Sequence, residues 1–364
     1  MQLRLVVQHT FELQEVANAT EALAARLPAP PPFIQPFWLL PWLKQNLDKQ
    51  PVWLQCFNGD NLVASVFAVI APSQGIHSPF TCGWFNKTGD PTRDQIWIEF
   101  NDLLAEPQWR QEAVSLVLDW CKKNARDWRL EITSSPAPWL AHPGFYCDST
   151  SIPGYAVLLS PTFADKDNFL ASCSGNTRSR IRRAIKYLQA HYGDITVRDF
   201  GRNPPAEILN EMSAFHLQRW KEDPQGSGFS NPDFVAFHQA LMQSDSDDPR
   251  CDILGFYAGE QCIGYTYNLL CNDKVYFYLS GINYIESSNR FQPGLVIHTY
   301  AISHYAKQAF KRYDFMGGDS QYKRSLSNHS YSLYMLRLLR KDWLTSLYQC
   351  VKTLKTQFFK RKSH

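Results

Sequence analysis

The sequence predicts an α/β (α+β) protein built in two halves, each a mixed and mostly antiparallel sheet with flanking helices. Two observations carry the prediction. From Cys251 to Lys323, the segments CDILGFYAGE, QCIGYTYNLLCN and KVYFYLSGINY are rich in β-branched and aromatic residues and are separated by the turn signals Gly259-Glu260 and Asn272-Asp273. They read as a meander that feeds a helix and a further buried strand. The length of 364 residues leaves room for two cores of about 100–200 residues each, and the first half also alternates strand and helix signals.

In chain order, VWLQCF and LVASVFAVI flank Asn58-Gly59, a strong hairpin signal. QIWIEFNDLL follows with a strand-like composition, then a helix from Gln108 to about Ala125, then the strand WRLEITS. Pro28 to Pro36 is too rich in proline to be helical throughout and reads as an exposed connection. Pro72 to Pro91 reads as a long loop holding Trp84, Phe85 and Lys87, which either covers the core or lines a site. Prolines 136, 138, 143 and 153 place a boundary near residue 150. The expected division is 1–150, 151–342 and a tail, 343–364.

The second half opens with the strand GYAVLLS and a helix from about Thr162. A basic helix from Asn176 to about Ala190, the strand ITVRDF and the helices AEILNEMSAFHLQRW and NPDFVAFHQALMQ come next. After the meander, Pro293 occupies the first turn of a helix over LVIHTYAISHYAKQAF, a position where proline is tolerated. RYDFMG and YSLYMLRLLR close the domain as strands.

Hydrophobic residues make up 44% and charged residues 20% of the chain, the proportions of an ordinary globular protein. A formal charge of +3 implies no polyanionic partner by itself. Nine cysteines without a Cys-x-x-Cys pair argue against a disulfide framework and a zinc site, so no metal is expected and the thiols suit a reducing, cytoplasmic setting. The longest apolar run, Leu62 to Ala71, is far short of the roughly 20 residues that span a bilayer. The last helix repeats apolar residues at Trp343, Leu347, Val351, Leu354 and Phe358 before Lys360-Arg-Lys362, a pattern that suits either packing on the domain or peripheral contact with an anionic inner-membrane surface.

Asn176-Thr-Arg-Ser-Arg-Ile-Arg-Arg183, Phe215-His-Leu-Gln-Arg-Trp220, Gly259-Glu-Gln-Cys-Ile-Gly264, Tyr276-Phe-Tyr278, Gln292-Pro-Gly294, Asp314-Phe315 and Tyr322-Lys323 stand in one order. In that order they resemble the GNAT superfamily of acyltransferases, in particular its cellulose-biosynthesis-type (CelD/BcsL-like) subfamily, and are similar to the Fem-type aminoacyl transferases. The resemblance implies two tandem GNAT-like domains, the second more complete. It also implies transfer of an acyl group from acyl-CoA to an amine or hydroxyl on a small-molecule, glycan or lipid-linked acceptor, in exopolysaccharide or envelope assembly. A Fem-type enzyme using charged tRNA and a non-catalytic scaffold are the alternatives.

The resemblance assigns the CoA pyrophosphate to the helix start at Gln292, Pro293, Gly294 and Leu295, because helix N-termini bind anions. Acetyl-CoA-type members usually show a basic, Gly-rich turn there, whereas this chain has Arg290-Phe-Gln-Pro-Gly294. Acyl transfer needs a proton acceptor and stabilisation of an oxyanion. Asp314, Asp319, Tyr322 and Lys323 concentrate titratable groups after one buried strand, with Lys323 poised for an acceptor phosphate or carboxylate. His216 is a candidate base or a packing residue, and Tyr278 either protonates the leaving thiolate or lines the core. Arg178, Arg182 and Lys186 form a stripe at four-residue spacing that suits a phosphorylated acceptor, the CoA 3′-phosphate or tRNA, or else is a solvated face. Arg219 and Trp220 complete the substrate-binding candidates.

Overall fold

The structure is a computed structural model that describes residues 2–72, 78–222, 226–285 and 292–351. Its first half runs β1 (Arg4–Gln8), α1 (Leu13–Ala24), α2 (Pro36–Asn46), β2 (Val52–Asn58), β3 (Asn61–Ala71), β4 (Cys82–Phe85), β5 (Leu104–Ala105), α3 (Arg110–Asn124), β6 (Asp127–Thr133), α4 (Ala137–Leu140) and β7 (Phe145–Leu158). The second runs α5 (Lys166–Ser172), α6 (Gly175–Tyr192), β8 (Ile195–Gly201), α7 (Ala206–Trp220), α8 (Pro232–Met242), β9 (Arg250–Ala258), β10 (Gln261–Cys271), β11 (Lys274–Ile282), α9 (Pro293–Lys307), β12 (Arg312–Gly317), α10 (Gln321–Leu326) and β13 (His329–Arg340).

The strands lie in one sheet, in the order β1-β2-β3-β4-β6-β13-β7-β12-β11-β10-β9-β8, with β5 set beside β3. Each half repeats one pattern. β1 to β4 form an antiparallel run to which β6 adds in parallel, and β8 to β11 form another to which β12 adds in parallel. The halves then exchange strands: β7 follows β6 in the chain but pairs with β12, while β13 follows β12 but pairs with β6. β7 and β13 pair with each other from His329↔Ala156 to Arg340↔Phe145. Neither half can be pulled away without breaking strand pairs in the other.

Local chemistry explains the elements that frame the site. In α6 the apolar line Ile181, Ile185 and Leu188 is buried, Ser174 accepts the Thr177 N–H at 3.3 Å as an N-cap, and Gly193 at φ 107° ends the helix. Helix α7 lies so close on β11 that a Cβ at Gly281 would sit 2.2 Å from the Met212 carbonyl oxygen. One core lies under each half, and a third joins them, drawing Trp38 and Ile96 from the first half and Phe237 and Tyr278 from the second.

Several local expectations are corrected. Pro28 to Pro36 is not an exposed connection, because Phe33 is fully buried and meets Trp38 and Tyr276 edge to face. The segment from Pro72 to Pro91 contains strand β4, which the prolines concealed. QIWIEFNDLL is irregular up to the short β5, with Trp97 and Phe100 at positive φ, because Ile96 and Ile98 plug the shared core instead of pairing. Tyr322 and Lys323 lie on the short helix α10, not in a loop. Residue 150, where the expected division falls, lies on strand β7, which the two halves share through its pairing with β12 and β13. Among the described residues no helix is long and apolar enough to cross a membrane.

Candidate active site

Strands β11 and β12 pair only from Lys274↔Arg312 to Tyr276↔Asp314 and then part. The divergence opens a wedge of about 300 Å³, walled by Phe277 to Ser280 of β11 and by Phe315 and Met316 of β12. His216 and Trp220 of α7, Gly226 after it, Tyr322 and Lys323 of α10, and Trp97 and Glu99 from the first half complete the lining. Past Tyr276, no strand among the described residues pairs with β11 on its β12 side, so an extended, amide-bearing ligand can add along that edge.

The chemistry concentrates on Gly317. Met316 takes a left-handed turn (φ 60°) at a bulge in the β12–β7 pairing, which interrupts the ladder between Asp314 and Gly317 and aims the Gly317 N–H at Glu99. Gly317 N–H donates to the Glu99 carboxylate at 2.7 Å, and the Gly317 carbonyl accepts from the Lys323 ammonium at 2.5 Å. A carboxylate and an ammonium thus meet at one residue inside the wedge. Burial pushes Glu99 from its ordinary 4.5 up to about 7, against the Gly317 N–H and Lys323, with Asp314 adding to the rise. Burial also pulls Lys323 below its ordinary value, against the attraction of Glu99 and Asp314. Two groups with opposed charge preferences and pKa values drawn towards neutrality are the usual material of acid–base chemistry.

The other expected residues divide. Tyr322 lies in the wall, its ring stacked on His298 of α9 at 5.2 Å and 4°. His216 lines the wedge but is buried, bonded through Nδ1 to Ser227 Oγ at 2.7 Å and pulled down to about 4 by burial, so it is neutral near pH 7. Asp314 is 1% exposed and saturated, taking Arg312 at 2.7 Å, the Met316 N–H at 2.8 Å and the Tyr331 hydroxyl at 2.5 Å. It fixes the turn and does not line the wedge. Asp319 points away, to Arg324 and the Tyr155 hydroxyl.

Tyr278 shows its ring to the wedge but commits its hydroxyl to the Ile96 carbonyl. His238 Nε2 and Nδ1 lie 3.1 Å from the Tyr278 and Tyr267 hydroxyls, and Tyr267 in turn meets Cys251 at 3.1 Å. Since Tyr278 donates to Ile96, the neutral His238 must donate to it from Nε2. This leaves Tyr278 without a proton aimed at a leaving group.

At the start of α9, Pro293 and Leu295 are buried and Gly294 faces Ile282 at the end of β11. Gln292 accepts from Arg180 at 3.0 Å, while Arg290 and Phe291 lie outside the described residues. Arg178 donates to the Ala171 carbonyl, Arg182 approaches Asp167 at 3.8 Å on an exposed face, and Lys186 is exposed. Their stripe therefore lies outside the wedge, and among the described residues it is Arg180 that bonds to Gln292 at the helix start. Arg219 lies over the Trp220 and Tyr284 rings at the rim. Trp97, Glu99 and Arg180 were missed by sequence reasoning. The one signal for Glu99 was a single carboxylate inside the apolar run Ile96-Trp-Ile-Glu-Phe100. Among the described residues no cluster could hold a metal.

Comparison with curated proteins finds no sequence match. The chain is similar in fold to the structure titled FemX, with a TM-score of 0.60, 11% identity and coverage of 96% of this chain and 100% of that one. It is also similar to L-PGS from Bacillus licheniformis, with a TM-score of 0.54, 11% identity and coverage of 92% and 95%. The C-terminal domain of a putative lysylphosphatidylglycerol synthetase from Agrobacterium fabrum gives 0.53, 9%, 94% and 97%. Identities this low establish the fold alone. Residues 175–324, the stretch that includes both strands of the β11–β12 wedge, match the sequence model of the acetyltransferase (GNAT) domain.

Proposed function

We propose that the protein is an acyltransferase that moves an acyl group from acyl-CoA to an amine or hydroxyl, with the reacting carbonyl held in the β11–β12 wedge. The observation that carries this reading is the buried Glu99 carboxylate on the Gly317 N–H, drawn up to about 7, opposite the Lys323 ammonium. Glu99 takes the proton as the acceptor's nitrogen or oxygen bonds to the carbonyl carbon. Lys323 faces the developing oxyanion, and cleavage of the carbon–sulfur bond releases the thiolate, which is protonated by Lys323 or by water. The amide-rich arm of the donor runs along the open edge of β11, and its pyrophosphate meets the start of α9 near Arg180. This assignment replaces Asp314, Asp319 and His216 as the base. It keeps Lys323 at the site but moves it from an acceptor phosphate or carboxylate to the reacting carbonyl.

The resemblance to the cellulose-biosynthesis-type subfamily supports a glycan or lipid-linked acceptor in exopolysaccharide or envelope assembly, and two units at about 1–150 and 151–342. A second reading, a charged tRNA as donor, is favoured by the exposed Arg182, Arg183 and Lys186 on α6.

The test is calorimetric titration of the protein with acetyl-CoA and longer acyl-CoAs. Binding is expected in the wild type and its loss in Gly294→Glu, which sets a like charge against the pyrophosphate. A Cβ at this position would meet the Ile282 Cδ1, the end of a flexible side chain, at 3.2 Å, and an unchanged melting temperature of the variant would show that the fold tolerates the substitution. No heat with any acyl-CoA, together with salt-sensitive binding of tRNA, would replace this reading by the second.

A further inference from the structure

The first half contains a wedge of its own, the first in chain order, built by the same topology as the second, between β11 and β12. Strands β4 and β6 pair in parallel only from Cys82↔Asp127 to Trp84↔Arg129, as β11 and β12 do, and then part. A cavity of about 540 Å³ opens there, with Trp84, Lys87 and Glu131 around it, Thr92, Asp94 and Gln95 along one side, and Trp97. That volume lies within the range of about 300–1,000 Å³ common for ligand sites. Trp97 also lines the β11–β12 wedge, so one indole borders both cavities.

The two wedges share a Lys and a Glu but use them differently. In the second wedge Glu99 and Lys323 each bond to Gly317. In the first, Lys87 and Glu131 close directly on each other at 2.5 Å, and burial, opposed and outweighed by Glu131 and Asp94, leaves Lys87 firmly charged. A closed pair of this kind fixes hydrogen-bonding groups in place and has no reason to exchange protons. Asp94 adds a second carboxylate, itself held by the Thr88 and Gly89 N–H groups at 2.8 Å. The cavity therefore offers two indoles, a rim of fixed carboxylate, amide and hydroxyl groups, and two carboxylates to one ammonium in its lining, with the Arg129 guanidinium over the Trp84 ring at 5.9 Å.

We infer that this first wedge is a binding site for a neutral or cationic sugar ring, an amino sugar above all. A pyranose has an apolar C–H face that stacks on indole and an edge of hydroxyls that donate to carboxylate and amide oxygens. The two lining carboxylates, Glu131 and Asp94, favour an amino substituent beside them and disfavour uronate or phosphate groups there. Placing this sugar as part of the acceptor, reached past Trp97 from the transfer wedge, rests on the proposed function; the binding itself does not.

The test is hydrogen–deuterium exchange of the full chain, and saturation-transfer NMR, with millimolar glucosamine, glucose and glucuronate as probes. Glucosamine should protect residues 87–95 from exchange and show saturation transfer, glucose less so and glucuronate not at all. Thr92→Trp, which fills the cavity, should abolish both signals, while Lys323→Met should leave them unchanged. Absence of protection at 87–95 with every sugar, or equal protection in Thr92→Trp, would overturn the inference. Sugar binding without acyl-CoA binding would instead preserve this site and remove the proposed transfer reaction.

Discussion

Glu99→Gln separates the energetic consequence of burying Glu99 from its chemical one. The amide keeps an acceptor oxygen for the Gly317 N–H, so the wedge should stay intact, but the ionisable proton is gone. The folded protein holds that proton up to about pH 7 whereas the unfolded chain releases it near 4.5. Glu99 therefore favours the folded state most fully below pH 4.5, and its contribution is lost as pH rises through about 7. At about 1.4 kcal/mol per pH unit, the loss amounts to about 3 kcal/mol. Urea unfolding of both proteins at pH 5, 6, 7 and 8 should show the variant gaining on the wild type by about that amount. Other buried acids, such as Asp252, are common to both proteins and cancel. A stability difference that does not vary with pH would refute the claim that Glu99 is a desolvated carboxylate. If Glu99 is also the base, transfer should fall by about 10² to 10⁴. The wild-type rate should climb with pH through about 7, and the variant should lack that limb.

Four further outcomes follow. Lys323→Met should cut transfer by roughly tenfold or more, about 1.4 kcal/mol, with little change in melting temperature; full turnover would mark Lys323 as structural. Asp314→Ala should instead destabilise by about 3 kcal/mol or more, read by urea unfolding, because it strands Arg312 and frees the Met316 turn. Tyr278→Phe should cost about 1–3 kcal/mol by leaving the buried Ile96 carbonyl without its donor, and should lower transfer by loosening the segment that carries Glu99. Trp343 and Leu347 are 73% and 57% exposed at the start of the last helix, so replacing both by Ser should reduce sedimentation with anionic vesicles, and equal sedimentation would dismiss membrane contact.

The second half was the legible part. Its meander, α7, α9 and β12 follow from periodicity and turn residues, because each segment's apolar pattern matches the face it buries. The wedge itself was legible only from its own half: Tyr278, Lys323, Tyr322, His216 and Trp220 were all singled out, and all line it. Glu99 was not, because no local pattern announces that a carboxylate in the first half will cross to the second. That crossing depends on the shared core and on the exchanged β7 and β13, which are long-range pairings. Asp314 and Asp319 misled for the opposite reason, since proximity to a Gly-Gly turn does not reveal that their oxygens are already occupied by Arg312, Tyr331, Arg324 and Tyr155. The basic stripe of α6 was real, but the side chain that reaches the α9 start is Arg180, on a different face.

A crystal structure with a non-hydrolysable acyl-CoA analogue tests the central claim most directly. The account predicts the amide arm along β11 past Tyr276, the pyrophosphate at Gln292 to Leu295, and the acyl carbonyl in the wedge within hydrogen-bonding reach of Lys323 or Glu99. Density for the analogue in the β4–β6 wedge, or on the outer face of α6, would contradict it.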